Sequence, residues 1–136
     1  PEVILDVAHN PQAAKSLVQN LIKHPCKGRT LGVFAMLADK DIEQVTQELF
    51  PYISIWYLAD TQNPRGAKAT ELESHLLPEA NGSIKCFDSV SKALLSACID
   101  VGKNDRIIVF GSFYTVADAI QSINSARKIN HAKRSS

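Results

Sequence analysis

Two patterns of apolar residues alternate along this chain. Short runs with few polar interruptions, Val3-Ile4-Leu5, Leu31 to Met36, Ile53 to Ala59, Ser83 to Phe87 and Arg106 to Phe110, have the length of strands. After each run the apolar positions take up helical spacing. They are Ala13, Ala14, Leu17, Val18, Leu21 and Ile22 after the first, and Ile42, Val45, Leu49 and Phe50 after the second. Leu72 and Leu76 follow the third, Val90, Ala93, Leu94, Ala97, Cys98 and Val101 the fourth, and Val116, Ala117, Ile120 and Ile123 the fifth. Strands that alternate with helices through short loops demand right-handed crossovers. The expected architecture is therefore α/β, a three-layer, mostly parallel sheet with helices on both faces.

Punctuation between the runs fixes the element ends. Asn10 is a favoured N-cap and Pro11 suits the first helical position, where its missing N–H costs nothing. His24-Pro25 stops that helix and Pro51 stops the next, whose start carries capping-box spacing in Asp41 and Gln44. Thr70 and Glu73 repeat that spacing ahead of a short third helix closed by Pro78, and Asn81-Gly82 turns the chain into the fourth strand. Asp88 or Ser89 caps the fourth helix and Gly102 ends it. From Ser125 onward the apolar pattern is lost. The chain thus divides into one domain over residues 1–124 and a basic, flexible tail over 125–136.

Composition narrows the class. An apolar fraction of 45% and a charged fraction of 21% are ordinary for a globular domain of 136 residues. No run approaches the roughly 18 apolar residues of a membrane span. Cys26, Cys86 and Cys98 are odd in number and lack C-x-x-C spacing, which argues against zinc or a disulfide framework and for a reducing, cytoplasmic setting. The net charge of +1 conceals a split, since Arg127, Lys128, Lys133 and Arg134 follow the last acid, Asp118, and leave −3 on the rest. So short a basic tail, without aromatics, reads as solvated rather than as a nucleic-acid contact. Opening at Pro1-Glu2 without Met, the chain reads as a piece of a longer one.

Residues too polar or too small for packing gather after strands one, two, three and five: Asp6 to Asn10, Asp39 to Asp41, Asp60 to Gly66 and Gly111 to Thr115. In a doubly wound sheet those carboxyl ends share one edge, so the four loops can share a crevice. Each member has two readings. Asp6 suits the hydroxyls of a ribose or caps local N–H groups, and His9 is a ligand or a turn histidine. Lys40 meets an anion or pairs with Asp39 or Asp41. Ser112 is an anion contact at a helix start or only an N-cap. Arg65 grips a carboxylate or is surface. Trp56 and Tyr57 read as core or as a buried domain contact. There is no G-x-x-x-x-G-K-[ST] loop, no G-x-G-x-x-G after the first strand, no G-x-S-x-G elbow and no zinc-ligand cluster. The crevice offers cations and donors without an evident nucleophile or metal, half of a site for anionic substrates.

Four motifs in order carry a resemblance: Asp6-Val7-Ala8-His9-Asn10-Pro11, Met36-Leu37-Ala38-Asp39-Lys40-Asp41, Pro64-Arg65-Gly66-Ala67 and Phe110-Gly111-Ser112-Phe113-Tyr114-Thr115-Val116. Over about residues 1 to 124 the chain resembles the C-terminal domain of bacterial folylpolyglutamate synthases, especially the bifunctional dihydrofolate synthase type, within the Mur ligase group. The resemblance implies a Rossmann-like domain of a cytoplasmic, monomeric, ATP-dependent amide ligase. It implies that such an enzyme activates the carboxylate of dihydropteroate or a folate as an acyl phosphate, which the amino group of L-glutamate attacks. ATP and Mg2+ are its implied cofactors, with the phosphate loop and metal ligands in a separate N-terminal domain, so that this piece alone is inactive. Carried over by motif, Asp6 is implied as an ATP contact, and His9, Ser112 and Lys40 as glutamate-site residues. Arg65 is implied as a possible anion contact of unassigned ligand. The same resemblance implies an antiparallel strand ahead of the first motif, so the edge beside the first strand is expected to be open here or covered differently. Two alternatives remain: another Mur-type amino-acid ligase, or a non-catalytic anion- or nucleotide-binding module.

Overall fold

The computed structural model describes residues 1–76 and 83–135, and side chains through residue 127. Five strands, β1 (Glu2–Asp6), β2 (Thr30–Phe34), β3 (Ile55–Ala59), β4 (Ile84–Phe87) and β5 (Arg106–Phe110), alternate with α1 (Pro11–Lys23), α2 (Ile42–Leu49), α3 (Ala69–Leu76), α4 (Val90–Asp100) and α5 (Phe113–Ser135). The sheet order is β1-β5-β2-β3-β4 and every pairing is parallel. This is the expected α/β class, with no antiparallel strand among the described residues. Among the described residues β1 pairs with β5 alone, and its Val3 and Leu5 stay partly exposed.

Alternation along each strand sorts its side chains onto two faces. Phe34, Trp56, Leu58, Ile108 and Phe110 meet α1, α2 and α3, whereas Leu31, Val33, Tyr57, Ile107 and Val109 meet α4 and α5. Trp56 and Tyr57 are therefore core, one on each face. Phe34 stacks on Phe110 with centroids 4.7 Å apart, and Trp56 meets Phe34 edge-on at 5.8 Å, which sets a rigid aromatic block beneath the end of β5. Moving from β1 to β4 the crossovers run one way and put α1 to α3 on one face. The return to β5 runs the other way and puts α4 opposite. The sense of winding reverses where β5 lies between β1 and β2, and in open α/β sheets ligands bind outside the strand ends at that reversal.

Asn10, Asp41 and Ser89 cap their helices as their positions in the chain predict, accepting from Ala13, Gln44 and Lys92 N–H. The third helix differs. It begins at Ala69, so Thr70 lies inside it, and the Ala69 N–H donates at 2.7 Å to Asp60 Oδ1 from the end of β3 rather than to a Thr70-Glu73 box. Pro78 and Asn81-Gly82 lie outside the described residues. On α4, Cys98 is exposed together with Leu95 and Ile99 instead of joining the buried stripe. On α5, Ala117 and Ile120 face outward while Thr115 and Ala119 are buried, because the Thr115 hydroxyl is tied to the Ala35 carbonyl of the sheet at 2.7 Å. No break follows Ser125. The backbone stays helical to Ser135, a stretch without Gly or Pro, although Asn124 to Arg127 are exposed. No helix among the described residues is long and apolar enough to cross a membrane.

Candidate functional site

The turn from β5 to α5 is built on a glycine that no other residue replaces. Gly111 has φ +121°, and a Cβ there would lie 2.1 Å from the Ala35 carbonyl oxygen. The turn sets Ser112 as the cap of α5. Thr115 N–H donates to Ser112 Oγ at 3.0 Å, and Thr115 Oγ1 donates its own proton to Ala35 O. The 2.8 Å contact between the two hydroxyls is then Ser112 donating to Thr115. A hydroxyl has one proton and two lone pairs, so Ser112 Oγ keeps one acceptor site and no donor. The Phe113 and Tyr114 amides come ahead of the first intrahelical donor, Val116 N–H, and bring the partly positive end of α5 to the same spot.

On one side of this turn lies the β1-to-α1 loop. Asp6 Oδ1 accepts the Ala8 N–H at 2.8 Å, leaving Oδ2 as the oxygen not used in that turn. His9 Nδ1 lies 2.8 Å from Val7 O. A carbonyl only accepts, so Nδ1 carries the proton and Nε2 of the neutral ring is an acceptor. The ring also leans on Phe113, centroids 6.5 Å apart.

On the other side lies the β2-to-α2 loop with Lys40. Neither flanking acid pairs with it. Asp41 caps α2 through Gln44 N–H, and Asp39 is gripped by the Arg65 guanidinium. That guanidinium holds the Asp39 carboxyl below its ordinary pKa, with Lys40 adding a smaller pull. Among the described residues Lys40 forms no ion pair.

His9, Leu37, Lys40, Gly111, Ser112, Phe113 and Tyr114 enclose a cavity of about 160 Å³. This is well under the roughly 300 Å³ at which drug-sized pockets begin. Two other grooves, each about 460 Å³, carry a different chemistry. One, between α4 and α5, is lined by Gln62, Asp118 and serines, with no cation. The other spends both its lysines on its own acids, Lys68 on Asp60 and Lys92 on Asp88. Among the described residues no three His, Cys, Asp or Glu side chains gather as metal ligands.

Three of the five residues singled out in the sequence, His9, Lys40 and Ser112, thus line one cavity, while Asp6 and Arg65 do not. For Arg65 the reason is the strand order. β5 lies between β1 and β2, so their three loops meet, whereas β3 lies beyond β2 and its loop reaches only the back of the β2 loop. The aromatic pair Phe113-Tyr114 and Leu37 also line the cavity, though the sequence marks them only as neighbours of polar positions.

Residues 1–113 match the Mur ligase, glutamate ligase domain family. The chain is 42% identical over 127 residues to the dihydrofolate synthase/folylpolyglutamate synthase of Escherichia coli strain K12, covering 93% of this chain and 29% of that protein. To the enzyme of the same name from Haemophilus influenzae it is 38% identical over 125 residues, covering 87% and 28%. Its structure matches that of E. coli FolC in complex with DHPP and ADP at a TM-score of 0.86 and 42% identity, over 93% of this chain and 30% of the other. It matches a bifunctional folylpolyglutamate synthase/dihydrofolate synthase with Mn, AMPPNP and L-glutamate bound at 0.82 and 38%, over 90% and 29%. The chain therefore spans less than a third of the length of these relatives. With the fold, the four motifs and these identities in agreement, the chain belongs to the Mur ligase, glutamate ligase domain family.

Proposed function

We propose that this chain is the glutamate- and nucleotide-contacting C-terminal part of an ATP-dependent carboxylate-amine ligase that adds L-glutamate to dihydropteroate and to folates. The observation that carries the reading is the sorting of donors and acceptors in the 160 Å³ cavity. An amino acid presents an ammonium, which only donates, and carboxylates, which only accept. Lys40 and the first amides of α5 are donors in a positive field and suit a carboxylate. His9 Nε2 and the last lone pair of Ser112 Oγ are acceptors and suit the ammonium. In this reading His9 Nε2 also receives the proton that the amine must shed before it attacks a carbonyl. Closure of the cavity against the rest of the enzyme keeps water from the activated carboxylate.

Asp6 Oδ2 is suited to accept from the hydroxyls of a ribose, while the sequence has no phosphate loop and the described residues no carboxylate cluster, so the triphosphate and Mg2+ are assigned to the portion of the ligase outside this chain. Bound there, the nucleotide supplies the phosphoryl group that activates the substrate carboxylate. Two relatives' names and a relative holding AMPPNP, Mn and L-glutamate support the assignment.

The test uses the complete polypeptide that carries this domain. ATP-dependent incorporation of L-glutamate onto dihydropteroate and onto a reduced folate is measured for the wild type, Asp6→Ala and His9→Ala. Activity on at least one acceptor is expected, falling at least about tenfold in each variant, roughly 1.4 kcal/mol of transition-state stabilisation. A folded protein inert toward both acceptors refutes the folate assignment and directs the search to other Mur-type amino-acid ligases. Activity indifferent to both substitutions keeps the family and refutes the site.

A further inference from the structure

The loop after β3 is laid along the back of the loop that carries Lys40. Ala38 N–H donates to Arg65 O at 2.8 Å and Ala67 N–H to Met36 O at 2.9 Å, flanking an antiparallel bridge between Leu37 and Gly66. The loop's own shape is set by its backbone and by Asn63, whose Oδ1 accepts the Arg65 N–H at 2.8 Å and whose carbonyl accepts the Gly66 N–H at 2.9 Å. Gly66 is required for the fold-back, since a Cβ there would lie 2.2 Å from Thr61 Oγ1. None of these bonds uses the Arg65 side chain. Its guanidinium does one thing: it holds the Asp39 carboxylate.

From this geometry we infer that Arg65 is a positioning residue for the amino-acid cavity, acting through Asp39: by occupying that carboxylate it keeps the adjacent Lys40 ammonium unpaired and available to a substrate carboxylate. The inference rests on the proposed role of Lys40 and adds the reason its charge is not quenched locally. Asp39 and Lys40 are consecutive, and Lys40 already pulls on the Asp39 carboxyl across this turn. Without the guanidinium, the closest cation left to Asp39 is the lysine. An exposed ion pair of this kind is worth at most about 1 kcal/mol, so a substrate competing with it loses up to about fivefold in affinity.

Four forms of the complete ligase, Arg65→Met, Arg65→Lys, Arg65→Met with Asp39→Asn, and Lys40→Met, are compared with the wild type for KM of L-glutamate and for kcat at saturating glutamate. Arg65→Met is expected to raise the KM about threefold to fivefold, with kcat within about twofold. Arg65→Lys, which keeps a cation beside Asp39, is expected to stay close to the wild type. The double variant, in which the competing carboxylate is neutral, is expected to recover the wild-type KM. A double variant as impaired as Arg65→Met overturns the inference and makes Arg65 a direct ligand or a purely structural residue. A Lys40→Met variant with unchanged KM removes the proposed role of Lys40 and the inference with it. A raised KM in Lys40→Met beside an unaffected Arg65→Met overturns the inference alone.

Discussion

The two edges of the parallel sheet spend their polar groups in opposite ways. At the amino edge the buried charged groups, Asp105 and Arg106, are answered by partners from the chain. Asp105 accepts from the Arg29 N–H at 2.6 Å, the Gly102 N–H at 2.8 Å and the Arg29 guanidinium at 3.0 Å. Arg106, 8% exposed, donates to Thr30 Oγ1 and to the Leu21 and His24 carbonyls, so a buried cation closes the negative end of α1. Toward the same edge Asp100 takes both the Tyr57 hydroxyl and Lys85 at 2.7 Å, and burial, then Asp100 itself, pushes the Tyr57 phenol upward. At the carboxyl edge His9, Lys40 and the start of α5 line a cavity instead of pairing with each other. The buried charges of the amino edge serve the fold, and the groups around the cavity are left for a ligand.

By that contrast, substitutions at the two edges are expected to separate stability from activity. Gly111→Ala breaks it most severely, because the backbone itself must move away from Ala35 O. Urea unfolding should show a loss of about 3 kcal/mol, with the cavity lost as well. Arg106→Ala leaves two helix-end carbonyls and Thr30 without their donor and should cost about 2 kcal/mol or more, while the folded fraction of the complete enzyme keeps its KM for glutamate. Asp105 sharpens the amino-edge half through pH. Chiefly the Arg29 and Gly102 amides hold its carboxyl down at about 2. The stability it contributes is thus complete above the ordinary carboxylate range and lost as pH falls from about 4 to about 2. Asp105→Asn should flatten this segment of a stability-against-pH curve measured by chemical unfolding. Lys40→Met gives the smallest stability change, within about 0.5 kcal/mol, yet a rise of about tenfold in the KM for glutamate.

The sequence carries what is local. Asn10, Pro11 and the stripe that follows define the first strand-to-helix turn within a few residues, and small polar residues mark the carboxyl-edge loops before any pairing is known. Partnerships between distant residues are not written in that form. Nothing in periodicity places β5 between β1 and β2, yet this order decides that His9, Lys40 and Ser112 converge and that Arg65 lies behind them. Asp60 caps α3 across a loop, a role a window centred on Thr70 and Glu73 assigns to the wrong oxygen. Arg106 reads as a polar residue opening a strand until the end of α1 is brought beside it. On α5 the apolar spacing points to Ala117 and Ile120, but a single Thr115 hydroxyl bond sets which side meets the sheet.

The strand order also governs when the domain can come into being. Among the described strands β1 pairs with β5 alone, and β5 separates β1 from β2. As the chain leaves the ribosome, β2 and β3 can pair early while β1 waits for β5 to emerge. Pairing strands this far apart in the chain closes a long loop and is slow for that reason. The turn after β5 holds Gly111 and Ser112, so the cavity is completed only once β5 and that turn have been made. A chain cut short before Arg106 therefore carries His9 and Lys40 without the strand that lies between theirs and the turn that completes their cavity.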